Sequence, residues 1–245
     1  MEGRPRHLKC GVGRVGDVSL PWCAKLISSV FLFLPLLECK RIEVLDVVFV
    51  IDSSGSIDHD EYNIMKDFMI DLVKKADVGK NHVRFGALKY ADDPEVLFYL
   101  DNLDTKWEVI SVIQNDQPMG GNTYTAEALG FSDHMFTEAR GSRLHKGVPQ
   151  VLIVITDGES HDADKLNATA KALRDKGILV LAVGIAGANP VELLAMAGSS
   201  DKYFFVETFG GLKGIFSDVS ASVCNSSKVG KIHPLSFLDY QKRSK

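Results

Sequence analysis

The residues that could do chemistry cluster where apolar runs end. Leu45 to Ile51 is an almost unbroken apolar run, followed at once by Asp52, Ser53, Ser54, Gly55 and Ser56. A short run rich in Val and Ile predicts a strand buried on both faces. Oxygen side chains placed directly after it stand at the strand's carboxyl end, where open α/β sheets bind ligands. Asp52, Ser54 and Ser56 alternate, so a tight loop can turn their oxygens toward one point. Hard cations such as Mg²⁺ take oxygen ligands in octahedral geometry, which makes this loop a candidate cation site. The design recurs at Val151 to Ile155, a second apolar run that ends in Thr156, Asp157, Gly158, Glu159 and Ser160. A third loop, GGNTYT, presents Thr123 on a turn loosened by Gly120 and Gly121.

Each of these residues also has a plainer role open to it. Asp52 and Asp157 could cap helices, Ser54 and Ser56 could shape a turn, and Thr123 could be a helix cap. Their occurrence together, in order and at strand ends, favours the cation site. Glu159 is close enough in sequence to support it from behind. His59, His82, His134, His145 and His161 form no metal-binding pair at helical spacing and are expected on the surface or in the core.

The elements that must position these loops alternate regularly. Asp58 to Glu61 is an acidic helix start. Tyr62, Met65, Met69, Leu72, Val73 and Ala76 continue it with a core-facing stripe. His82 to Tyr90 predicts a strand. Val96 to Leu100 follows after the Asp92-Asp93-Pro94 turn, a link short enough for an antiparallel hairpin at a sheet edge. Helices are predicted over 105–115 and 126–138, with 141–149 a basic surface loop. After the second apolar strand come a helix over 162–176, a strand over 178–185, and a helix opened by Asn189-Pro190. A last strand, Tyr203 to Val206, and a closing helix from Phe209 to Val223 complete the pattern. The expected fold is α/β and doubly wound. A mainly parallel sheet with one antiparallel edge strand carries helices on both faces.

The chain has 245 residues and 45% hydrophobic content, enough for a sizeable core. Its net charge of −4 and lack of a long basic run give no support to nucleic-acid binding. Cys10, Cys23, Cys39 and Cys224 form no CxxC, which disfavours a structural zinc site. Cys39 and Cys224 flank the folded region, which suggests a bridge between its ends in an oxidising compartment. Residues 1–40 are a basic and then apolar segment. Its run from Leu26 to Leu37 suits a signal-peptide core better than a membrane span, with a disordered tail the other reading. The domain is expected over 41–226 and a C-terminal tail over 227–245. Asn167-Ala-Thr and Asn225-Ser-Ser are glycosylation sequons, meaningful if the chain is secreted.

DSSGS, the threonine of GGNTYT and the aspartate of TDGES resemble the metal-ion-dependent adhesion site of von Willebrand factor A domains. The resemblance covers roughly 44–224. Its details are most like the A domains of collagen VI alpha chains, the alpha-4-like chain among them: a VDVV-type opening, GGNTYTAEAL, and GGLKGIFSDVSASVC. TDGESHD also looks like the collagen-binding integrin I domains. The passage through AGANPVELLAMAG, however, lacks the inserted helix of those integrins.

The resemblance implies that Ser54 and Ser56 ligate Mg²⁺, or Mn²⁺ in its place, through their hydroxyls. Thr123 would bind directly or through water, and so would Asp52 and Asp157, which also fix the hydroxyls. With mostly neutral ligands the ion keeps positive charge and seeks a carboxylate from a partner. The function implied is a noncatalytic, secreted extracellular-matrix module that engages matrix proteins such as collagens, with no membrane span. In related I domains the metal site couples to sliding of the last helix. A structural module with a vestigial metal site is the alternative. An Asp-nucleophile phosphatase is disfavoured, because Ser54 stands where such enzymes place a second Asp.

Overall fold

The computed structural model describes residues 12–15, 18–21 and 44–229. The chain divides into two compact units, 1–40 and 41–245. Within the first, β1 (Val12–Val15) and β2 (Val18–Pro21) pair as an antiparallel ribbon, Val12 opposite Pro21. The apolar run from Leu26 to Leu37 lies outside the described residues, as does Cys39.

The second unit is built on β3 (Leu45–Asp52), all eight of whose residues are buried. It lies at the centre of a sheet with order β5-β4-β3-β6-β7-β8. Its neighbours are β4 (Val83–Tyr90) and β6 (Gln150–Thr156), both parallel to it. Burial on both faces by helices is why β3 and β6 read as continuous Val/Ile runs. Beyond β4, β5 (Pro94–Phe98) pairs antiparallel at one edge, as the short Asp-Asp-Pro link requires. Beyond β6, β7 (Ile178–Ile185) and β8 (Tyr203–Val206) continue the sheet in parallel to the other edge.

This order has one topological consequence. From β3 the chain first winds outward through β4 and β5, then crosses back to β6 and winds outward the other way. The reversal falls between β3 and β6, and such a switch point opens a crevice at the strands' carboxyl ends. Asp52 closes β3, and Asp157 follows β6 directly.

Helices cover the two faces. α1 (His59–Lys75) opens on a capping box, with Asp58 accepting from the Glu61 amide and Glu61 from that of Asp58. It packs with α2 (Lys106–Asn115) and with α6 (Leu212–Val229). An edge-to-face contact of Phe68 and Phe216 joins α1 and α6. On the opposite face α3 (Thr125–Ser132) packs with α4 (Ala163–Asp175), and α4 with α5 (Pro190–Ala197). Val48, Val50, Leu152, Val154 and Val180 meet Leu129, Leu166 and Leu193 in that core.

Three expectations are corrected. The helix predicted over 126–138 ends as an α-helix at Ser132 and continues as 3₁₀ turns, Asp133–Phe136 and Glu138–Arg140. The Ser132 and Thr137 hydroxyls donate to the Leu129 and His134 carbonyls, and such side-chain bonds compete with the helical ladder. The closing helix runs past Val223 to Val229. The loop 141–149 is not wholly a surface: Ser142 and Arg143 are buried. Cys224 is buried in α6 and disulfide-bonded.

Candidate metal-binding site

Three loops meet at the switch point, and each is tied to the next by hydrogen bonds. Asp52 is fully buried. Its Oδ1 accepts from the Ser54 amide at 2.9 Å, and its Oδ2 accepts from the Thr156 hydroxyl at 2.7 Å. Asp52 therefore shapes the turn of its own loop and clamps β3 to the end of β6. The Ser54 and Ser56 hydroxyls lie 3.1 Å apart, and Ser56 donates to Asp157 Oδ1 at 2.9 Å. Four of the five predicted residues thus belong to one hydrogen-bonded group spanning the β3 and β6 loops.

Thr123 is brought in by its backbone. Gly120 N–H donates to the Ser53 carbonyl, and Gly55 N–H to the Gly121 carbonyl, both at 2.9 Å. Gly120 and Gly121 have φ of 78° and 104°, a left-handed conformation that glycine adopts without strain. A side chain at Gly121 would also run into the Asp92 carboxylate. Asp92 in turn accepts from the Asn122 side chain at 2.6 Å. From the other side His161 Nδ1 accepts from the Thr123 amide at 3.1 Å, and the His161 amide donates to the Thr123 carbonyl at 2.8 Å. The Thr123 side chain is 5% exposed, and among the described residues its hydroxyl makes no hydrogen bond. A Cβ on Gly158 would lie 3.9 Å from that hydroxyl, so Thr123 borders the Asp157 loop.

The segment leading into the Thr123 loop is held from below. Lys89 donates to Asp116 at 2.8 Å and to the Gln117 carbonyl at 2.9 Å. Tyr62 donates to Asp116 at 2.6 Å, and Lys66 donates to the Gln114 and Asp116 carbonyls. Ser53 adds a hydroxyl that accepts from the Met119 amide at 2.7 Å.

Electrostatics make the site costly without a cation. Burial raises the Asp52 carboxyl above its ordinary range, opposed by the Thr156 and Ser54 hydrogen bonds. Burial pushes Asp157 up to about 6; the Asp52 charge adds to this and the Ser56 hydrogen bond opposes it. Among the described residues, two carboxylates and three hydroxyls, with no sulfur or imidazole aimed among them, form an all-oxygen donor set. Such a set fits a hard divalent cation, whose charge would offset both the burial and the repulsion. Among the described residues there is no cluster of three or more His, Cys, Asp and Glu, so hydroxyls must supply much of any coordination here.

Sequence reasoning missed four supports. Thr156 stood only as the residue between an apolar run and Asp157, yet its hydroxyl anchors Asp52. His161 appeared as an ordinary histidine; its place in the Asp157 loop was the available signal. Ser53 and Asp92 order the glycine turn through contacts distant in sequence. Glu159 instead accepts from Asn189 at 3.1 Å and makes no hydrogen bond to the five residues. Asn167 on α4 and Asn225 on α6 are both exposed.

A family profile described as von Willebrand factor type A domain matches residues 46–218. The human collagen alpha-6(VI) chain is 92% identical over 195 residues, which are 80% of this chain and 9% of that protein. The mouse collagen alpha-4(VI) chain is 35% identical over 77% of this chain and 8% of its own length. The alpha-6 likeness thus outweighs the alpha-4 likeness noted above. The chain spans about a tenth or less of these curated relatives. Among solved structures, proximal thread matrix protein 1 from the mussel byssus superposes with a TM-score of 0.68 at 26% identity. The match covers 77% of this chain and 47% of that one, and that structure has zinc in its metal-ion-dependent adhesion site.

Proposed function

Because the chain belongs to the von Willebrand factor type A domain family, we propose that it is a noncatalytic adhesion module of the extracellular matrix. It engages protein partners through a Mg²⁺-dependent site formed by Asp52, Ser54, Ser56, Thr123 and Asp157. The observation that carries this reading is the hydrogen-bonded group of Asp52, Ser54, Ser56 and Asp157, bordered by the unbonded Thr123 hydroxyl. Mg²⁺ is the favoured ion because every donor is an oxygen; Mn²⁺ can replace it. When bound, the ion supplies a positive centre for a partner's carboxylate. The chain's own residues do the rest. Asp52 orients the Ser54 turn, Ser56 links the two carboxylate loops, and His161 with the glycine turn fixes the height of Thr123.

The collagen VI likeness supports a secreted matrix location, with collagens and other matrix proteins as partners. Among the described residues no helix is long and apolar enough to cross a membrane. A noncatalytic role fits the arrangement around Asp52: Ser54 occupies the place of a second acid. The two lysines beneath the Thr123 loop are committed elsewhere, Lys89 to Asp116 and Gln117 and Lys66 to the Gln114 and Asp116 carbonyls. The folded module is taken as 41–226, with Cys39 and Cys224 bridged and Asn167 and Asn225 glycosylated on secretion.

The test is calorimetric titration of Mg²⁺ and Mn²⁺ into the full chain and into Asp157→Ala. Collagens are then screened with and without EDTA. Cation binding by the wild type alone, and EDTA-sensitive capture of a matrix protein, are the expected results. A folded wild type that binds neither ion refutes the metal-dependent reading.

A further inference from the structure

The end of the sheet that carries the candidate site is formed by six loops, 53–58, 91–93, 116–124, 157–162, 186–189 and 207–211. They contain no Lys or Arg. They do expose Asp58, Asp92, Asp93, Glu159 and Glu207 to solvent. Of the nearest basic residues, Lys66 and Lys89 are buried and committed to Asp116 and the carbonyls of Gln114, Asp116 and Gln117, while Lys165 and Lys213 lie within helices α4 and α6. Loops at the other end of the sheet mix both signs, Lys80, Arg140 and Lys146 with Asp101, Asp104, Glu138 and Asp201. The site end is therefore one-signed, whereas the opposite end is mixed. The acidic end is also where the Thr123 hydroxyl, 5% exposed and unbonded, borders the Asp157 loop.

A partner carboxylate that approaches this end meets a ring of like charge before it reaches any cation. Exposed charges act over a Debye length of about 10 Å at moderate salt, so the rim charges oppose an isolated acidic anchor. They favour one that brings its own cations, and such complementarity governs partner choice and encounter rate more than raw affinity. Resting on the metal-dependent reading above, we propose that this face selects a protein segment whose anchoring Asp or Glu is flanked by Lys or Arg. The anchor completes the ion's shell, and its basic neighbours pair with the carboxylates of the surrounding loops.

The test uses the full chain in Mg²⁺ and three fluorescent synthetic peptides. One has a single Glu among Gly and Ser with flanking Arg and Lys. In the second the basic residues are replaced by Ser, and in the third the Glu of the basic peptide is replaced by Gln. Anisotropy titrations at about 50 mM salt should show the basic-flanked peptide binding at least about tenfold tighter than the neutral one. At about 500 mM salt the advantage should shrink as screening shortens. Either EDTA or the Gln peptide should abolish most of the binding. Asp93 and Glu207 make no side-chain hydrogen bond among the described residues, so the pair Asp93→Asn and Glu207→Gln tests the rim. It should reduce the basic peptide's advantage severalfold while leaving calorimetric Mg²⁺ binding unchanged.

Equal affinity for basic and neutral peptides, or binding of neither, overturns the proposal. So does basic-peptide binding that ignores both EDTA and the loss of Glu, because attraction alone would then explain it. Calorimetry on the same samples separates the two levels. Mg²⁺ binding without peptide discrimination removes only the rim, whereas absence of Mg²⁺ binding removes the underlying metal reading as well.

Discussion

Replacing Arg143 by Ala should destabilise the domain while leaving cation binding in place. Arg143 is 6% exposed and Asp46, the second residue of β3, is 0% exposed. The guanidinium donates to Asp46 Oδ1 at 2.6 and 2.9 Å and to the Leu45 and His82 carbonyls at 3.0 and 2.6 Å. Breaking a buried ion pair by removing one partner costs about 3–5 kcal/mol, because the other charge is left uncompensated. Asp46 would keep two donors in the variant, the Arg143 amide at 2.7 Å and the Gln150 amide group at 2.8 Å. That places the expected loss near the lower bound, about 3 kcal/mol. For a domain of this size each kcal/mol shifts Tm by about 2–4 °C, so Tm should fall by about 6–12 °C.

Arg143→Lys should recover only part of the loss, since an ammonium cannot make the forked contact. Replacing both partners by apolar residues, Asp46→Leu with Arg143→Met, should lie closer to wild type than Arg143→Ala does. Thermal unfolding followed by circular dichroism measures all four chains, and Mg²⁺ calorimetry checks that the distant loops are intact. A Tm loss below about 2 °C for Arg143→Ala would show that Asp46 is relieved by water or a proton, and the reasoning from buried charge would be wrong.

The remaining predictions concern the carboxyl end of the sheet. Mg²⁺ at about a hundred times its dissociation constant should stabilise the wild type by about 2.7 kcal/mol; Asp157→Ala should show no such Tm rise in the same scan. His161→Ala should lower Mg²⁺ affinity by less than Asp157→Ala does, because it loosens the Thr123 turn without removing a ligand; parallel calorimetry distinguishes the two. The Asp157 carboxyl has a folded pKa of about 6 against an ordinary value of 3.8, so the folded state holds its proton more tightly than the unfolded. In metal-free protein this group costs stability at pH 7, and the cost is relieved as pH falls through about 6 toward 3.8. The Tm gap between Asp157→Asn and wild type should therefore narrow on acidification in EDTA, and a constant gap refutes the assignment. With Mg²⁺ present the wild type should instead be the more stable at pH 7, because it binds the ion, and that advantage should fade below about pH 6 as protons compete with the ion.

The fold was legible because β3 and β6 are buried on both faces, which gives the short β-branched runs VVFVI and VLIVI, and because helical patterns alternate with them along the chain. The site was legible for a related reason: Asp52 and Asp157 stand where those runs stop. What escaped notice depends on contacts between distant residues. Asp46 sits inside an apolar run and Arg143 in a basic loop, and their pairing across the sheet cannot be read from either neighbourhood. The roles of Thr156 and Ser53 were hidden because a hydroxyl's partner is set by which strand or loop lies beside it. The early end of α3 was hidden as well, since Ala128, Leu129, Met135 and Phe136 keep helical spacing while Ser132 and Thr137 draw carbonyls out of the ladder.

The two ends of β3 meet the same physical problem with opposite solutions. Asp46 is buried near the strand's start and is answered within the chain, by Arg143 and Gln150. Asp52 is buried at its end beside Asp157, and among the described residues no basic side chain contacts either carboxylate; hydroxyls and amides are their partners there. Hydrogen bonds from neutral donors lower a carboxylate's energy without cancelling its charge, and both groups remain shifted upward. A chain that needed only stability could place an Arg there, as it does at the opposite end. An unanswered pair of carboxylates at the topological switch point, with three hydroxyls and a glycine turn around it, is instead an arrangement whose compensating charge must come from outside.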